Sequence, residues 1–190
     1  MATVELLLPA DLPLLVQRLI HAATGRRMVI LLDGGSASGK TILARRLDVE
    51  LSRALGASPQ VVSLDDVYPD WDGLAAASHD VADTILRPKD PGYRRWNWVT
   101  HRPADWVPLE AGEPLLVEGC GAITPASRPF ATTAIWYERD ADERKRLALS
   151  RGNGECLRPW WDHWANQEQA LWALNHPRDL ADVVVRRCPG

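Results

Sequence analysis

The residues with the clearest chemistry form one short run, Gly34-Gly-Ser-Ala-Ser-Gly39-Lys40-Thr41, which fits the pattern G-x-x-x-x-G-K-[ST] without a gap. Glycines let the chain turn so that successive N–H groups face inward and hold anionic oxygens. We expect Lys40 to reach the outer phosphates of a nucleotide, and the Thr41 hydroxyl to bind Mg²⁺. The run predicts a phosphate-binding loop whose nucleotide-binding residues are Gly34, Gly35, Ser36, Ala37, Ser38, Gly39, Lys40, Thr41 and Ile42.

The sequence on both sides of this run predicts the elements that must position it. Residues 28–32 are a short apolar run, typical of a buried parallel strand, and residues 40–55 form a helical pattern with leucines on one face. A helix that begins at the loop adds the positive end of its dipole. This context favours phosphate binding over a chance match in a Gly/Ser loop.

Further strands and helices alternate along the chain. Strands are predicted at residues 60–64, 114–117, 132–137 and 181–185, and helices at 11–24, 75–86, 140–151 and 160–174. Residues 90–111 are rich in Pro, Trp and Arg, lack a period, and are predicted to be irregular. This alternation predicts an α/β protein, a three-layer α/β/α P-loop NTPase fold with a mainly parallel five-stranded sheet.

A length of 190 residues suits one domain spanning residues 1–190. Within it we expect a Trp- and Arg-rich insert on the acceptor side at residues 69–112, and a lid region at residues 140–158. The sequence contains no internal repeat and no linker long enough to divide it.

Charge and composition bear on partners and location. The net charge of -3 gives no general attraction to nucleic acid or anionic membranes. The N-terminal stretch lacks a cationic start and is interrupted by Glu5 and Asp11, so no secretory signal is expected, and the apolar runs are too short for a bilayer span. Three widely spaced cysteines, Cys120, Cys156 and Cys188, argue against disulfides or a zinc site. We expect a cytoplasmic protein with no nucleic-acid or membrane partner, either a monomer or a homodimer.

The phosphate-binding loop predicts the nucleotide and not the reaction. The Asn-Lys-x-Asp segment with which GTPases read guanine is missing, and so is the Leu-Ser-Gly-Gly-Gln signature of transport ATPases. The missing guanine motif favours ATP, bound with Mg²⁺. The two absences leave two classes of protein, the small-molecule kinases and the ATP-binding switches.

Several segments, in this order, resemble the uridine kinases and phosphoribulokinases. Residues 63–68, Ser-Leu-Asp-Asp-Val-Tyr, are similar to the Asp-x-Phe-Tyr stretch of that family, and residues 114–119, Pro-Leu-Leu-Val-Glu-Gly, to its third strand. Residues 140–151 resemble its arginine-bearing lid helix, and residues 181–185 its last strand. Residues 67–74 and 117–121 also resemble a group of small actinobacterial ATP-binding proteins described as uridine-kinase-like.

The resemblance implies an enzyme, an ATP-dependent kinase that transfers the γ-phosphate to a hydroxyl of a nucleoside or a related small molecule. Asp65 is then the candidate general base that takes the proton of the acceptor, with Asp66 as second choice. Asp66 could instead share Mg²⁺ with its neighbour through waters, and both acids could simply cap a turn. Lys40, Asp65 and Arg151 are the candidate catalytic residues.

Two further sets of charged residues are expected at this site. Glu118 ends an apolar strand, where a carboxylate is costly to bury unless it meets Mg²⁺, a positioned water or a cation such as arginine. Thr41, Asp66 and Glu118 are thus the candidate Mg²⁺ ligands. The candidate lid residues Arg144, Arg146 and Arg151 would neutralise charge on the phosphoryl group, although a basic helix can also be a solvated face.

Eight of the nine tryptophans lie in two stretches, residues 71–106 and 160–172. In the first stretch, rings and arginines could hold a flat, anionic acceptor, and the predicted acceptor-binding residues are Asp65, Tyr68, Arg94, Trp96 and Glu118. No uracil-reading residue of the uridine kinases is found beyond Tyr68, so uridine itself is not predicted. The second stretch places Trp161, Trp164 and Glu168 on one helix face, typical of a packed aromatic seam.

A second class of function stays open on these residues. In it the chain is a non-catalytic or slowly hydrolysing ATP-binding module that signals or binds a protein partner. An exposed tryptophan-rich patch would favour that class, whereas a closed cavity lined by Tyr68, Arg94 and Trp96 would favour a kinase.

Overall fold

The computed structural model describes residues 3–150, 152 and 154–188, so that the candidate lid residue Arg151 lies outside the described residues. Within them the strands are β1 (Val4–Leu8), β2 (Val29–Asp33), β3 (Gln60–Ser63), β4 (Gly92–Asn97), β5 (Arg102–Pro108), β6 (Leu115–Glu118), β7 (Thr133–Glu138) and β8 (Val183–Arg187). The helices are α1 (Leu12–Ala22), α2 (Lys40–Leu55), α3 (Leu74–Asp80), α4 (Ala141–Leu149), α5 (Gly154–Leu157), α6 (Trp161–Asn175) and α7 (Pro177–Leu180).

Six of the strands form one parallel sheet in the order β1-β8-β7-β2-β6-β3. Strand β2 lies in the interior of the sheet between β7 and β6. Because all six strands run the same way, the segments that follow β2, β3 and β6 meet at one edge of the sheet. The phosphate-binding loop, the pair Asp65 and Asp66, and Glu118 are therefore brought to the same edge.

The sheet has six strands and not the five expected, because the sequence pattern does not predict β1. Its five residues pair in parallel with β8, from Val4 opposite Val183 to Leu8 opposite Arg187. Only Leu6 and Leu8 are buried, so β1 is an edge strand covered on one face. The mainly parallel α/β prediction is confirmed, and the strand number is corrected.

Helices cover both faces of the sheet, giving three layers. Alternate residues of β2 point to opposite faces: Ile30 and Leu32 belong to a core shared with α1 and α2, whereas Val29 and Leu31 belong to a core shared with α3 and α6. Every residue of β2 is buried. No helix in the described part of the chain is long and apolar enough to cross a membrane.

The region predicted to be irregular, residues 90–111, contains a β-hairpin instead. Strands β4 and β5 pair antiparallel as a separate two-stranded sheet, with an irregularity between Arg94 and Trp96. The strands expose most of their residues, so they lack the alternation of apolar residues that would have predicted them. The helix predicted at residues 75–86 is α3 followed by a π-helical turn, Val81–Ile85.

Candidate nucleotide-binding and phosphotransfer site

The loop between β2 and α2 turns through backbone conformations that favour glycine. Gly34 has a φ of +146° and Gly39 a φ of +116°. A Cβ atom on Gly34 would lie 2.4 Å from the carbonyl oxygen of Tyr137, so no other residue fits there without moving the backbone. At Gly39 the chain enters α2 with no side chain capping the helix. The first N–H groups of α2 thus retain the capacity to bind an anion.

Lys40 is buried beneath this loop. Its Nζ atom donates to the carbonyl oxygens of Gly34 over 2.8 Å and Gly35 over 3.0 Å, and lies 3.5 Å from Sγ of Cys120. Burial opposes the charge on Lys40, but the surrounding acidic groups outweigh it, so the pKa of Lys40 is raised. Burial also raises the pKa of the Cys120 thiol. Because that thiol is neutral near pH 7, carboxylates and carbonyl oxygens hold the ammonium in place.

Thr41 and Glu118 lie together where α2 begins and β6 ends. The Thr41 hydroxyl donates to Oε1 of Glu118 over 3.0 Å, and the Ser63 hydroxyl donates to the same oxygen over 2.9 Å. Burial raises the pKa of Glu118, the charge of Asp65 adds to that rise, and Lys40 opposes it. These oxygens suit a hard cation such as Mg²⁺, which usually keeps waters and takes one or two carboxylates together with phosphate oxygens.

Asp65 and Asp66 lie in the 3₁₀ turn Leu64–Asp66, directly after β3. Both side chains are exposed. Asp65 is close enough to Glu118 and Tyr68 for its charge to raise the pKa of each. Its carbonyl oxygen accepts a hydrogen bond from Nε1 of Trp98 over 2.8 Å. Within the described residues, no group of three or more His, Cys, Asp or Glu residues is arranged to hold a metal ion.

The residues predicted to bind the acceptor are divided between the core and the hairpin. Tyr68 is 2% exposed, and its hydroxyl donates to the carbonyl oxygen of Cys120 over 2.9 Å. Arg94 is exposed on β4 and donates to the carbonyl oxygen of Ala104. Trp96, also on β4, is half-buried, and its Nε1 atom is buried without a hydrogen-bond partner in the described part of the chain. Their role in binding an acceptor stays a prediction.

The two described arginines of the lid helix differ in position. Arg144 is 6% exposed and reaches the phosphate-binding loop, where Nη1 donates to the carbonyl oxygen of Ser36 over 3.2 Å. A Cβ atom on Gly35 would lie 2.2 Å from that same nitrogen, so the guanidinium lies directly on the loop. Arg146 is exposed at the surface of α4. The catalytic and lid role predicted for Arg151 concerns a residue outside the described chain.

Glu168 lies beside the loop, although its sequence pattern predicts only a place in the packed aromatic seam. Glu168, on α6, is 1% exposed and accepts a hydrogen bond from the backbone N–H of Ser36 over 2.6 Å. It also forms an ion pair with Arg144. A carboxylate on a helix face made of tryptophans was the available signal, since such a group needs partners once it is buried.

Asp33, the last residue of β2, is a second buried carboxylate beside the loop. It accepts hydrogen bonds from the backbone N–H groups of Gly34, Gly121 and Ile123. Burial raises the pKa of Asp33 to about 6, although the three N–H groups oppose that shift. Asp33 thus joins the start of the loop to the turn that follows β6.

A cluster of four tryptophans packs between the insert and α6: Trp71, Trp98, Trp160 and Trp164. Trp71 stacks on Trp160 with 5.5 Å between ring centroids and an interplanar angle of 5°. Trp71 also contacts Trp98 and Trp164, and Trp164 meets Tyr68 edge-on at 4.8 Å. Trp160 is 40% exposed, so the cluster reaches from the core to the surface.

Two neighbouring cavities lie beside Gly39 and the ends of β7 and β8. One, of about 220 Å³, is lined in part by Gly39, Ile42 and Tyr137, and the other, of about 430 Å³, by Glu138 and Glu143. Both are lined by Arg139 and Arg187. A nucleotide whose phosphates lay in the loop could extend its base and ribose into this space.

The fold has known counterparts. A structure described as that of a possible uridine kinase from Bacillus stearothermophilus is similar, with a TM-score of 0.65 and 21% identity over 94% of this chain and 98% of that one. A structure described as that of a candidate fructose transport system kinase from Silicibacter sp. TM1040 has a TM-score of 0.58 and 18% identity over 91% of this chain and 98% of that one.

No model of a protein family matches the chain, and no curated protein matches it in sequence. At these identities the likeness concerns the architecture and not the substrate. The parallel sheet with helices on both faces agrees with it. The chain therefore has the P-loop fold of the uridine-kinase-like proteins.

Proposed function

We propose that the protein is a phosphotransferase that moves the γ-phosphate of ATP to a hydroxyl group of a small molecule. The observation that carries this proposal is the arrangement of Lys40, Thr41 and Glu118 around the phosphate-binding loop, with Asp65 at the same edge of the sheet. A binding module needs the loop and a cation. A carboxylate at the neighbouring strand end is an additional requirement of phosphate transfer.

The loop amides and Lys40 supply the positive side of the site. The N–H groups at the start of α2 would hold phosphate oxygens, and Lys40 would exchange its bonds to the carbonyl oxygens of Gly34 and Gly35 for bonds to the outer phosphates. A Lys40 that already points into the loop needs little rearrangement to do so. The cavities on the flank of Gly39 would take the base and ribose.

Mg²⁺, when bound, would neutralise charge on the phosphates and orient them for transfer. Thr41 and Glu118 would hold it, because their oxygens already lie 3.0 Å apart. Asp66 is the candidate for a further contact through water, as its exposed side chain follows β3 directly. Burial is the main cause of the raised pKa of Glu118, and a bound cation would lower that pKa again.

Asp65 would orient the acceptor hydroxyl and take its proton during transfer. It is exposed, and its backbone is held by Trp98 of the insert. The acceptor would therefore approach from the side of the insert, between the turn after β3 and the hairpin. The proposal includes a small-molecule acceptor and no macromolecular one.

The ATP-binding module is a second candidate, favoured by a feature of the hairpin. Trp106 is 38% exposed, and two arginines lie near its ring, Arg87 at 5.6 Å and Arg94 at 6.0 Å from the ring centroid. Tryptophan and arginine are enriched among the residues that carry binding energy at protein interfaces.

Transfer of label from γ-labelled ATP with Mg²⁺ to a panel of nucleosides, sugars and vitamin precursors tests the proposal. We expect a labelled product whose rate of formation falls about 10³-fold in Asp65→Asn. Asp66→Asn tests the second candidate base, and Asp72→Asn, at an exposed aspartate paired with His163, is the matched control. If ATP binds but no acceptor is labelled, the ATP-binding module becomes the better assignment.

A further inference from the structure

The carboxylate of Glu168 lies where the phosphate-binding loop would meet an anion. Its Oε1 atom accepts the backbone N–H of Ser36 over 2.6 Å and lies 3.2 Å from Sγ of Cys120. Nε1 of Trp164 donates to the same oxygen over 3.1 Å. One carboxylate oxygen thus uses a loop amide that the nucleotide-binding motif keeps for phosphates.

Arg144 completes this arrangement from α4. Its Nη1 atom donates to Oε2 of Glu168 over 2.9 Å and to the carbonyl oxygen of Ser36 over 3.2 Å. The ring of Trp172, also on α6, lies 5.5 Å from the centre of the guanidinium. The strongest interaction of the buried Arg144 guanidinium is therefore its ion pair with Glu168.

The N–H of Ser36 and the guanidinium of Arg144 thus bind a carboxylate of the chain itself. The charge of Glu168 also contributes to the raised pKa of Lys40. A terminal phosphate carries the same sign of charge and needs the same kinds of donor, namely loop amides, a lysine and an arginine. Two anions in one buried cradle repel each other strongly, because water cannot screen them there.

We propose that Glu168 is an internal stand-in for the terminal phosphate, and that nucleotide binding displaces it from Ser36 and Arg144. This inference rests on the proposed nucleotide-binding function. Displacement frees the N–H of Ser36 and the guanidinium of Arg144 for the phosphates. It also breaks the tie between α6 and the loop, so that nucleotide binding is coupled to movement of α6.

The coupling extends to the acceptor side because α6 carries Trp164. That ring contacts both Tyr68 and Trp71, which belong to the segment after the candidate base. Trp164 and Glu168 lie one turn apart on α6 and share a hydrogen bond, so a movement of α6 shifts both side chains. The contacts of Trp164 with Tyr68 and Trp71 thereby change when a nucleotide arrives, before transfer takes place.

Titration calorimetry with ATP and Mg²⁺ tests this proposal on Glu168→Gln. The amide keeps the size of the side chain and loses its charge, so it competes less well with a phosphate, and we expect the dissociation constant for ATP to fall about tenfold. Gln169→Ala, at an exposed position beside Glu168 on α6, is the control and should leave the ATP affinity within about twofold.

Hydrogen exchange of the unaltered protein gives a second measurement that does not depend on a variant. With ATP and Mg²⁺, we expect slower exchange in the loop and in the first turn of α2, and faster exchange in α6. A Glu168 that only supports the fold would leave the exchange of α6 unchanged or slower. It would also leave ATP affinity in Glu168→Gln unchanged or weaker.

These outcomes separate the two proposals. If the unaltered protein binds ATP, but Glu168→Gln binds it no more tightly and α6 does not exchange faster, then displacement of Glu168 is wrong and nucleotide binding stands. If neither protein binds ATP, the proposed function is wrong, and the displacement proposal is overturned with it. Should Glu168→Gln fail to fold, the exchange of α6 in the unaltered protein decides the matter.

Discussion

The hydroxyl of Thr41 donates to Oε1 of Glu118 over 3.0 Å and so joins the first turn of α2 to the end of β6. This contact brings together an oxygen from the phosphate-binding loop and one from the neighbouring strand. We expect Glu118→Gln to raise the Mg²⁺ concentration needed for half-maximal ATP binding about tenfold, because the charge that would hold the cation is lost. Calorimetric titrations of ATP at several Mg²⁺ concentrations measure it. Affinity for ATP without Mg²⁺ should not decrease, and a decrease there would argue against a metal-binding role for Glu118.

Lys40→Met should weaken ATP binding about 100-fold, because the methionine fills the space of the lysine stem without its charge-assisted hydrogen bonds. Equilibrium binding of a fluorescent ATP analogue measures the change. Arg53→Ala is the control, since Arg53 lies on the same helix, is exposed, and forms an ion pair with Glu50. Equal affinities in the two variants would show that Lys40 does not contact the nucleotide.

Gly34→Ala should destabilise the fold by about 3 kcal/mol, from a left-handed backbone and a clash with the carbonyl oxygen of Tyr137. Two other glycines separate these causes. Gly56 has a φ of +76° but open space around its Cα, so Gly56→Ala should cost only about 1 kcal/mol. Gly112→Ala, with neither feature, should change stability little. Urea unfolding of the three variants gives the order, and a Gly34→Ala no less stable than Gly56→Ala would contradict it.

Asp33 predicts a pH dependence of stability. Its pKa of about 6 in the fold exceeds the ordinary 3.8, so the folded state binds more protons between those values. Stability from this group is present at low pH and is lost as the pH rises through 6, by about 3 kcal/mol in total. The free energy of unfolding of Asp33→Asn, minus that of the unaltered protein, should therefore increase from pH 4 to pH 7. A difference that decreases over this range would reverse the assigned direction. The difference in the free energy of unfolding between Asp105→Asn, at an exposed aspartate, and the unaltered protein gives the baseline.

Where periodicity and end signals agree, the sequence predicts the structure closely. Helix α2 begins at Lys40 and ends at Leu55 as expected, because leucines mark its buried face and glycines stand at both ends. The strands at the centre of the sheet are also found close to their predicted positions. They are buried on both faces, and continuous apolar runs are typical of that environment.

The features that the sequence does not predict lack a local pattern of apolar residues or depend on distant partners. Strand β1 is identifiable only once β8, at the other end of the chain, lies beside it. The hairpin of β4 and β5 has no apolar alternation, since few of its residues are buried. Glu168 lies 132 positions from Ser36, so their contact follows from the packing of α6 on the loop and from no local pattern.

The hairpin is tied to the segment after β3 at two points. Nε1 of Trp98 donates to the carbonyl oxygen of Asp65 over 2.8 Å, and Nδ1 of His101 lies 2.9 Å from Oδ2 of Asp70. A force on the hairpin is thus transmitted to the backbone of the candidate base, while the six-stranded sheet holds the phosphate loop in place. On the proposed function, a change in the hairpin sequence would reach the candidate base through Trp98, and helix α6 through Trp71, whose ring contacts both Trp98 and Trp164. The hairpin and the phosphate loop are thus linked by one series of contacts, so that a change in either would affect the other.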